Sequence, residues 1–412
     1  MNRTQIIILG SLVALVLVGI GVYFLFFTQK DGGLSVTPGG LLPGSEDALP
    51  SVDGSQGQIG EGDVASGAGT VVANRLVRVT TGPVSNGSVS LFKPSVRATS
   101  TTIDGFATSS LTREDVEVRY IERMSGNVYA YTVHDRVLKR IINQTIPGIV
   151  EAAWTDDGQN VFARFLNAQN SIETYSLNVE SGDGYFLEPN LPVVSLNGGN
   201  SLFTLVANEN GSTGSLSTIA GENVRTAFSS NLSSIDVQFA GTNLFATTKP
   251  SNQLDGYGFL VNSSSGLFTR VLGPTRGLST LSSPSGKYVL HSGFVDGTLQ
   301  LGFINPSTKE NVVLPLLTLA EKCVWTKDET ALYCAAPRAL PRGLPDSWYQ
   351  GVSSFSDRIW KIDLVSRVAV LVFDPTELAD IQIDAIELTL DSENDTLTFA
   401  NKIDGALYVY DL

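Results

Sequence analysis

The chain has 412 residues, of which 42% are hydrophobic and 17% are charged, so its composition is that of a folded protein rather than a disordered one. Its 41 acidic and 27 basic residues give a net charge of −14, which disfavours nucleic acid as a partner because phosphate binding depends on Lys and Arg. Two Cys and two His leave little material for a metal site, so we expect neither a metal nor a cofactor.

The first element is an uncharged apolar run over residues 6–27. As a helix its 22 residues would be about 33 Å long, enough to cross a hydrocarbon core of about 30 Å. The run is longer than the core of a cleaved signal peptide and ends in aromatic residues, which favours an uncleaved transmembrane helix in contact with the lipid bilayer. Arg3 precedes it, and between Lys30 and Arg75 no basic residue occurs. We therefore expect residues 1–5 in the cytoplasm and everything after the helix outside the cytoplasmic membrane.

Residues 28–74 come next, rich in Gly, Ser, Pro and Asp and without any aromatic side chain. Such a stretch cannot bury enough apolar surface to offset the entropy lost on ordering, so we expect a disordered linker. A flexible linker of this length lets the folded body, residues 75–412, stand away from the membrane.

The body consists of short β-rich segments separated by turns rich in Gly, Pro, Asn, Asp and Ser. One unit recurs, in which an apolar strand, a polar turn and a second apolar strand follow one another. The first strands of these units begin near residues 89, 150, 194, 235, 279, 321 and 384. Spacings of 41–44 residues with two longer intervals predict an all-β fold, a β-propeller of about seven four-stranded blades, with six or eight as alternatives. An immunoglobulin-like array would repeat about every 100 residues.

The two ends of the body predict how such a propeller closes. Residues 397–400 and 406–412 have the pattern of the second and third strands of a last blade. Residues 76–80 are an apolar segment that can supply its outer strand. Because an open propeller would expose sheet edges, we expect the two ends to interlock in this way.

Several turns carry a family resemblance. Pro-Ser-Gly-Lys-Tyr at 284–288 and Asp-Asp-Gly at 156–158 resemble the turn of the WD40-like repeats in TolB-type propellers, which reads roughly Ser-Pro-Asp-Gly-Lys. The strand endings at 360–364 and 408–412 resemble the same family, although the chain has no Trp-Asp dipeptide. The whole chain also resembles membrane-anchored bacterial envelope proteins. These resemblances, which cover about residues 150–412 for the repeats, imply a propeller fold and an envelope setting but no particular function.

Cys323 and Cys334 flank the turn at residues 327–330. If Thr326 pairs with Ala331, the two cysteines lie opposite each other in a hairpin, where their Cβ atoms can approach disulfide distance. Outside the cytoplasm such a disulfide can form. The alternative is a pair of buried thiols that pack as small apolar side chains.

The sequence offers little support for catalysis. Neither His134 nor His291 is accompanied by a nucleophile motif, and no Gly-x-Ser-x-Gly elbow occurs. Asp156 and Asp157 lack the alternating acids and the distal Glu of a calcium loop, so a solvated turn is expected there. We therefore predict no catalytic residue and no metal ligand.

One insert, residues 337–358, is typical of a binding loop. It would follow the second strand of the sixth blade and emerge on the face where propellers usually bind. Trp, Tyr and Arg anchor many interfaces, and the three Pro of this stretch lower the entropy cost of ordering it. The predicted binding residues are Trp348, Tyr349, Arg338, Arg342 and Asp346. The alternative is that the insert packs its Trp over the blade edge or the channel mouth.

Together these features predict a single-pass membrane protein that displays a non-enzymatic β-propeller outside the membrane and binds an envelope protein or polymer. The alternative is an envelope enzyme, a glycan hydrolase or lyase with its site at the propeller channel. An enzyme of that kind needs converging carboxylates with separated pKa values, whereas a scaffold needs an aromatic patch without them.

Overall fold

The structure is a computed structural model, and it describes residues 64–96, 112–142, 146–198 and 200–412. The expected cytoplasmic N-terminus, the expected transmembrane helix over 6–27 and residues 28–63 of the expected linker lie outside these ranges. Within these ranges, no helix has the length and apolar character needed to cross a membrane.

Antiparallel strands make up most of the regular structure. Three short strands come first, β1 (Val64–Ser66), β2 (Thr70–Ala73) and β3 (Leu76–Arg78). Seven groups of strands follow. The first group is β4 (Val89–Val96), β5 (Thr112–Ile121), β6 (Val128–Thr132) and β7 (Val137–Ile142), and the second is β8 (Ile149–Trp154), β9 (Asn160–Leu166), β10 (Ile172–Asn178) and β11 (Gly184–Phe186). The third group is β12 (Val193–Asn197), β13 (Ser201–Asn208), β14 (Gly211–Thr218) and β15 (Arg225–Ser230).

The fourth and fifth groups share one long strand, β19. They comprise β16 (Ile235–Ala240), β17 (Asn243–Thr248), β18 (Asp255–Val261), β19 (Phe268–Ser282), β20 (Val289–Val295), β21 (Thr298–Ile304) and β22 (Asn311–Val313). The last two groups are β23 (Cys323–Trp325), β24 (Ala331–Pro337), β25 (Asp357–Asp363) and β26 (Ala369–Phe373), then β27 (Ala385–Leu390), β28 (Thr396–Asn401) and β29 (Leu407–Asp411). Two short helices, α1 (Asp346–Tyr349) and α2 (Pro375–Ala379), and a 3-10 turn at Ala320–Lys322 lie between strands.

Within each group, strands that follow one another in sequence pair antiparallel. β19 pairs with β18 through its first half and with β20 through its second half, so it joins two groups into a seven-stranded sheet. The first strands of several neighbouring groups contact one another, as β8 does with β12, β12 with β16 and β27 with β4. The fold is therefore all-β and propeller-like, as the repeat spacing predicts.

Both ends of the described body lie in one sheet. β29 pairs with β28 on one side and with β3 on the other, where Val409 faces Val77 and Tyr410 faces Leu76. Leu76 is fully buried and Val409 nearly so, because the neighbouring sheets cover both faces of this pairing. The segment at residues 76–78 thus supplies the strand beside β29 that the sequence predicts, and β2 pairs on its outer side.

Strand structure begins earlier in the chain than the composition predicts. β1 and β2 fall within residues 28–74, the expected linker, and pair with β7 and β3. Arg136 holds the stretch between them, because its guanidinium donates to the backbone carbonyls of Gly67, Ala68 and Gly69 at 2.5–3.2 Å. The structure therefore places the end of the linker before residue 64, since β1 pairs with the distant strand β7 and β2 pairs with the neighbouring strand β3.

The core is divided into layers between neighbouring sheets. Between the fifth and sixth groups, Leu290, Leu301 and Trp325 pack with the strands of both. Between the sixth and seventh, Phe373 stacks on Tyr410 with ring centroids 3.9 Å apart. Strands apolar on both faces, which the sequence shows throughout, are what such layers require.

Candidate functional site

The insert between β24 and β25 packs against a buried lysine. Lys322 is fully buried, and its Nζ lies 2.6 Å from Asp384 Oδ1 and 2.9 Å from Asp357 Oδ2. It also donates to the carbonyl of Ala385 at 2.7 Å. A buried ammonium group needs this degree of pairing, because an unpaired charge there would cost several kcal/mol, roughly 3–5.

Asp384 connects this ion pair to the insert. The indole Nε1 of Trp348 donates to both of its carboxylate oxygens, at 2.9 and 3.2 Å, and the backbone N–H of Phe355 donates at 3.0 Å. The Trp348 ring also lies near two ammonium groups, with Lys402 Nζ 3.8 Å and Lys322 Nζ 5.1 Å from its centroid. Trp348 is 5% exposed. It therefore anchors the insert and is covered, which is the alternative interpretation that the sequence leaves open.

Tyr349, the next residue, is exposed, whereas Trp348 is buried. Its side chain is 42% exposed, and its hydroxyl donates a hydrogen bond to Glu321 Oε1. Burial and the charge of Glu321 raise the pKa of the Tyr349 hydroxyl, so it stays protonated as a donor. Tyr349 is thus the aromatic residue that α1 presents to solvent.

Glu321 belongs to a set of acids that come from four groups of strands. Burial raises the pKa of Glu321 to about 7, although the Tyr349 hydrogen bond and Lys322 lower it, and Asp236 is close enough for its charge to raise it further. Glu387 also has its pKa raised to about 7, by burial first and then by the charges of Glu151 and Glu321. We call these four acids, Glu151, Asp236, Glu321 and Glu387, the carboxylate cluster.

The cluster is open to water although protein surrounds it. Asp236 and Glu387 are exposed, and Glu151 and Glu321 are partly exposed. Desolvation by the surrounding protein is nevertheless the main cause of the raised pKa of Glu387. These side chains are therefore in contact with both water and protein.

Three of the acids lie near the beginning of the first strand of their group, and the fourth lies just before such a strand. Glu151 lies in β8, Asp236 in β16 and Glu387 in β27, while Glu321 lies in the turn just before β23. Glu387 has a left-handed backbone, φ 52°, at a bulge where the register between β27 and β28 shifts. Such a backbone conformation is unfavourable for a residue with a Cβ. The bulge changes the direction of the side chain relative to a regular strand. The signal in the sequence was an acid near the start of the first strand in four of the repeats.

Basic groups only partly balance the cluster. Arg164 Nη1 lies 2.5 Å from Glu151 Oε2, and Arg164 Nη2 donates to the carbonyl of Leu191 at 2.6 Å. Lys402 is close enough to lower the pKa of Glu321 but donates its hydrogen bond to the Trp348 carbonyl. The charge of Lys322 is taken up by Asp384 and Asp357. The cluster therefore keeps an excess of negative charge.

The other predicted binding residues are divided between anchoring and exposed positions. Arg338 Nη2 pairs with Asp374 Oδ2 at 2.5 Å and with Glu377 Oε1 at 3.1 Å. Asp346 Oδ2 accepts from the backbone N–H of Asn252 at 2.7 Å. Arg342 is exposed, and its carbonyl accepts from the Ser347 hydroxyl. The structure therefore brings Tyr349 to the carboxylate cluster, whereas Arg338 and Asp346 tie the insert to neighbouring loops.

Cys323 and Cys334 form a disulfide with an S–S distance of 2.11 Å. They face each other in the β23–β24 register, with Trp325 opposite Leu332 two residues on. Both cysteines are buried, at 4% and 0% exposure. The bridge therefore lies inside the layer between two sheets and takes no part in an open site.

The described residues contain no grouping of three or more His, Cys, Asp or Glu side chains that could hold a metal ion.

No protein-family model matches this chain, and no curated protein matches it. Among solved structures it is similar to an oligogalacturonate lyase from Vibrio parahaemolyticus, with a TM-score of 0.56 and 11% identity over 85% of this chain and 98% of that chain. An oligogalacturonate lyase in complex with manganese gives a TM-score of 0.52 and 10% identity over 80% of this chain and 98% of that one. TolB from Acinetobacter baumannii gives 0.43 and 10% identity over 68% and 78%, too low to carry an argument. At these identities the likeness shows a β-propeller-type fold and nothing further.

Proposed function

We propose that this chain is a single-pass membrane protein whose extracytoplasmic β-propeller binds a cationic segment of a partner protein at the carboxylate cluster. The observation that carries the proposal is the convergence of four carboxylates from four groups of strands beside the exposed Tyr349, without an equal number of cations. A negative opening of this kind attracts and orients positively charged groups.

The architecture we propose for it is a closed propeller of seven blades. The first strands of neighbouring groups contact one another, as β27 does with β4, β8 with β12, β12 with β16 and β16 with β19. The 3-10 turn beside β23 contacts both β19 and β27. The pairing of β3 with β29 would lock the two ends together. In such a ring the carboxylate cluster would line the mouth of the central channel, on the side of the insert.

An enzyme is the second candidate, because converging carboxylates are what a glycan hydrolase or lyase requires. Two observations weigh against it. The first is that no nucleophile or acid–base motif accompanies these acids in the sequence. The excess negative charge would also repel an anionic uronate polymer.

The direct test is the binding of tetralysine to the full-length protein in detergent, measured by calorimetry at pH 8 and low salt, with tetraglutamine as the neutral probe. The variant Glu321→Gln/Glu387→Gln removes two of the four charges, and we expect at least about tenfold weaker binding. The matched variant Glu180→Gln/Glu222→Gln makes the same changes at exposed turns away from the cluster. Equal affinity of all three proteins for tetralysine would exclude the cluster as the binding site.

Adding an equimolar tetragalacturonate arm to the same experiment separates the two candidates. Cleavage of the uronate, detected by absorbance of an unsaturated product or by new reducing ends, would support the enzyme. Binding of tetralysine without any turnover would support the binding module.

A further inference from the structure

A second concave site lies where the insert meets the fourth and fifth groups of strands. It is a cleft of about 440 Å³, within the range of about 300–1,000 Å³ that is usual for small-molecule sites. Its lining residues are Asn252, Asp255, Pro274, Thr275, Arg276, Phe294, Asp296, Gly297 and Leu344. None of them belongs to the carboxylate cluster.

The long strand β19 forms the base of this cleft. Arg276 pairs in register with Asp255 of β18 on one side and with Phe294 of β20 on the other. The register shifts beyond Gly256 in the pairing with β18 and directly after Arg276 in the pairing with β20, so β19 bends and twists more strongly near this point. Gly277 follows with φ 64°, and a Cβ there would lie 3.0 Å from both Phe294 Cδ2 and Pro345 Cδ. Glycine at this position therefore allows the insert to approach β19 closely.

The insert supplies a wall of the cleft that is held in place. Asn252 donates its backbone N–H to Asp346 Oδ2 at 2.7 Å and its side-chain Nδ2 to the Gly343 carbonyl at 3.3 Å. Leu344, next in the chain, is 4% exposed. Because the wall is tied to the neighbouring loop by these bonds, the cleft is formed before any ligand arrives.

The polar groups at the rim have unused hydrogen-bonding capacity. Arg276 Nε lies 3.9 Å from Asp255 Oδ1, which is too far for a hydrogen bond. Within the described residues, the side chain of Asp296 makes no hydrogen bond and no ion pair. Two carboxylates and one guanidinium thus line the cleft together with the apolar side chains of Pro274, Phe294 and Leu344.

We infer that this cleft binds a neutral oligosaccharide. Each sugar hydroxyl both donates and accepts, so one ring can hydrogen-bond to carboxylates and to a guanidinium at the same time. The C–H face of a sugar ring can pack against the half-buried Phe294, while its hydroxyls face the rim. Since two acids and one base line the cleft, an anionic sugar would be disfavoured.

The observations favour a sugar over an extended peptide. A peptide that adds to a sheet needs a free strand edge. At the cleft itself, Arg276 of β19 is paired on both sides, with Asp255 of β18 and with Phe294 of β20, so the strand offers no free edge at this residue. The inference goes beyond the proposed function, because ligand, residues and location all differ from those of the carboxylate cluster.

The test uses the full-length protein in detergent and three neutral trisaccharides, maltotriose, cellotriose and triacetylchitotriose, with trigalacturonate and a Gly-Lys-Phe tripeptide for comparison. Binding is detected by saturation-transfer NMR and its affinity is measured by calorimetry. We expect at least one neutral trisaccharide to bind, and Arg276→Gln/Asp296→Asn to weaken it about tenfold, because each change removes a charge-assisted hydrogen bond.

The matched control is Arg367→Gln/Asp183→Asn, which makes the same two changes at exposed turns elsewhere. It should bind the trisaccharide as the unchanged protein does, and so should Glu321→Gln/Glu387→Gln. Phe294→Leu, which keeps the wall apolar but removes the flat ring, should also weaken binding while the melting temperature shows that the protein is folded. The inference is wrong if no neutral trisaccharide binds at millimolar concentration, if only the tripeptide or the uronate binds, or if the cleft variant binds as well as its control.

Discussion

At the scale of single residues, the carboxylate cluster makes stability depend on pH in a direction opposite to that of most acids. Glu321 and Glu387 have folded-state pKa values of about 7, above the ordinary value of 4.5. The folded state therefore binds their protons more tightly than the unfolded state does. The stability that this tighter binding contributes is lost as the pH rises towards 7.

Glu387→Gln tests this dependence. We expect the melting temperature of the unchanged protein to fall between about pH 5 and pH 7.5 through these groups, and the variant to show a shallower fall, because a neutral amide cannot titrate. Differential scanning calorimetry across that range gives the slope. Glu180→Gln should keep the slope of the unchanged protein, and an identical slope in Glu387→Gln would contradict the assignment.

Tyr349→Phe tests the hydrogen bond to Glu321. The Tyr349 hydroxyl lowers the pKa of Glu321, so its removal should raise that pKa above about 7. Carboxyl-carbon NMR titration of selectively labelled protein measures it. Tyr257→Phe, in β18, is the comparison, and a pKa of Glu321 that stays the same in both variants would show that the bond has no effect.

At the scale of elements, the insert is positioned by the buried set Lys322, Asp384 and Trp348. Trp348→Ala leaves a cavity and removes two hydrogen bonds from Asp384, so we expect a loss of about 3–5 kcal/mol in the free energy of unfolding. Hydrogen exchange followed by mass spectrometry should show faster exchange over residues 338–356 first. Arg342→Ala, an exposed change in the same insert, should leave that exchange unaltered.

The disulfide joins β23 to β24 within the same part of the fold. Replacing both Cys323 and Cys334 by Ala should lower the free energy of unfolding by about 2–3 kcal/mol, because the crosslink restricts a short loop of the unfolded chain. Urea unfolding measures this loss. Tetralysine binding should be retained at its original affinity because both cysteines are buried and, although Cys323 is only two residues from Glu321, neither contributes a charge to the carboxylate cluster.

Sequence periodicity predicts much of this level of structure. The first strands expected near residues 89, 150, 194 and 235 begin at Val89, Ile149, Val193 and Ile235. Turn chemistry and apolar spacing are local properties, so one chain displays them directly. The bulge that turns Glu387 inward depends instead on how β27 meets β28, which no local pattern reveals.

The candidate site was harder to predict for a related reason. Trp348 and Tyr349 are adjacent and chemically similar, yet one is 5% and the other 42% exposed. What separates them is Asp384, thirty-six residues along the chain from Trp348, whose carboxylate accepts the indole N–H. The acids of the cluster likewise come together only through contacts between distant repeats. The repeat spacing could indicate each acid as a candidate, but it could not predict that the four lie close together in the fold.

At the scale of the whole molecule, the pairing of β3 with β29 should be essential for folding. Deletion of residues 406–412 removes β29, leaves β28 and β3 without their common partner, and exposes the apolar surface around Leu76 and Phe399. We expect the truncated protein to lose cooperative thermal unfolding, measured by calorimetry and circular dichroism. Deletion of Leu412 alone, which lies beyond β29, should preserve it. A truncated protein that stays monomeric and melts as the full chain does would contradict this expectation.

The same pairing has a consequence for how the protein is made. β3 leaves the ribosome early, but its partner β29 begins at residue 407, which is 407 − 78 = 329 residues after β3 ends. At roughly 5–20 residues per second, the first strand waits about 15–65 s with an unpaired edge. A chain that stops before residue 407 cannot complete the last sheet, so the edge of β3 that pairs with β29 stays open in it.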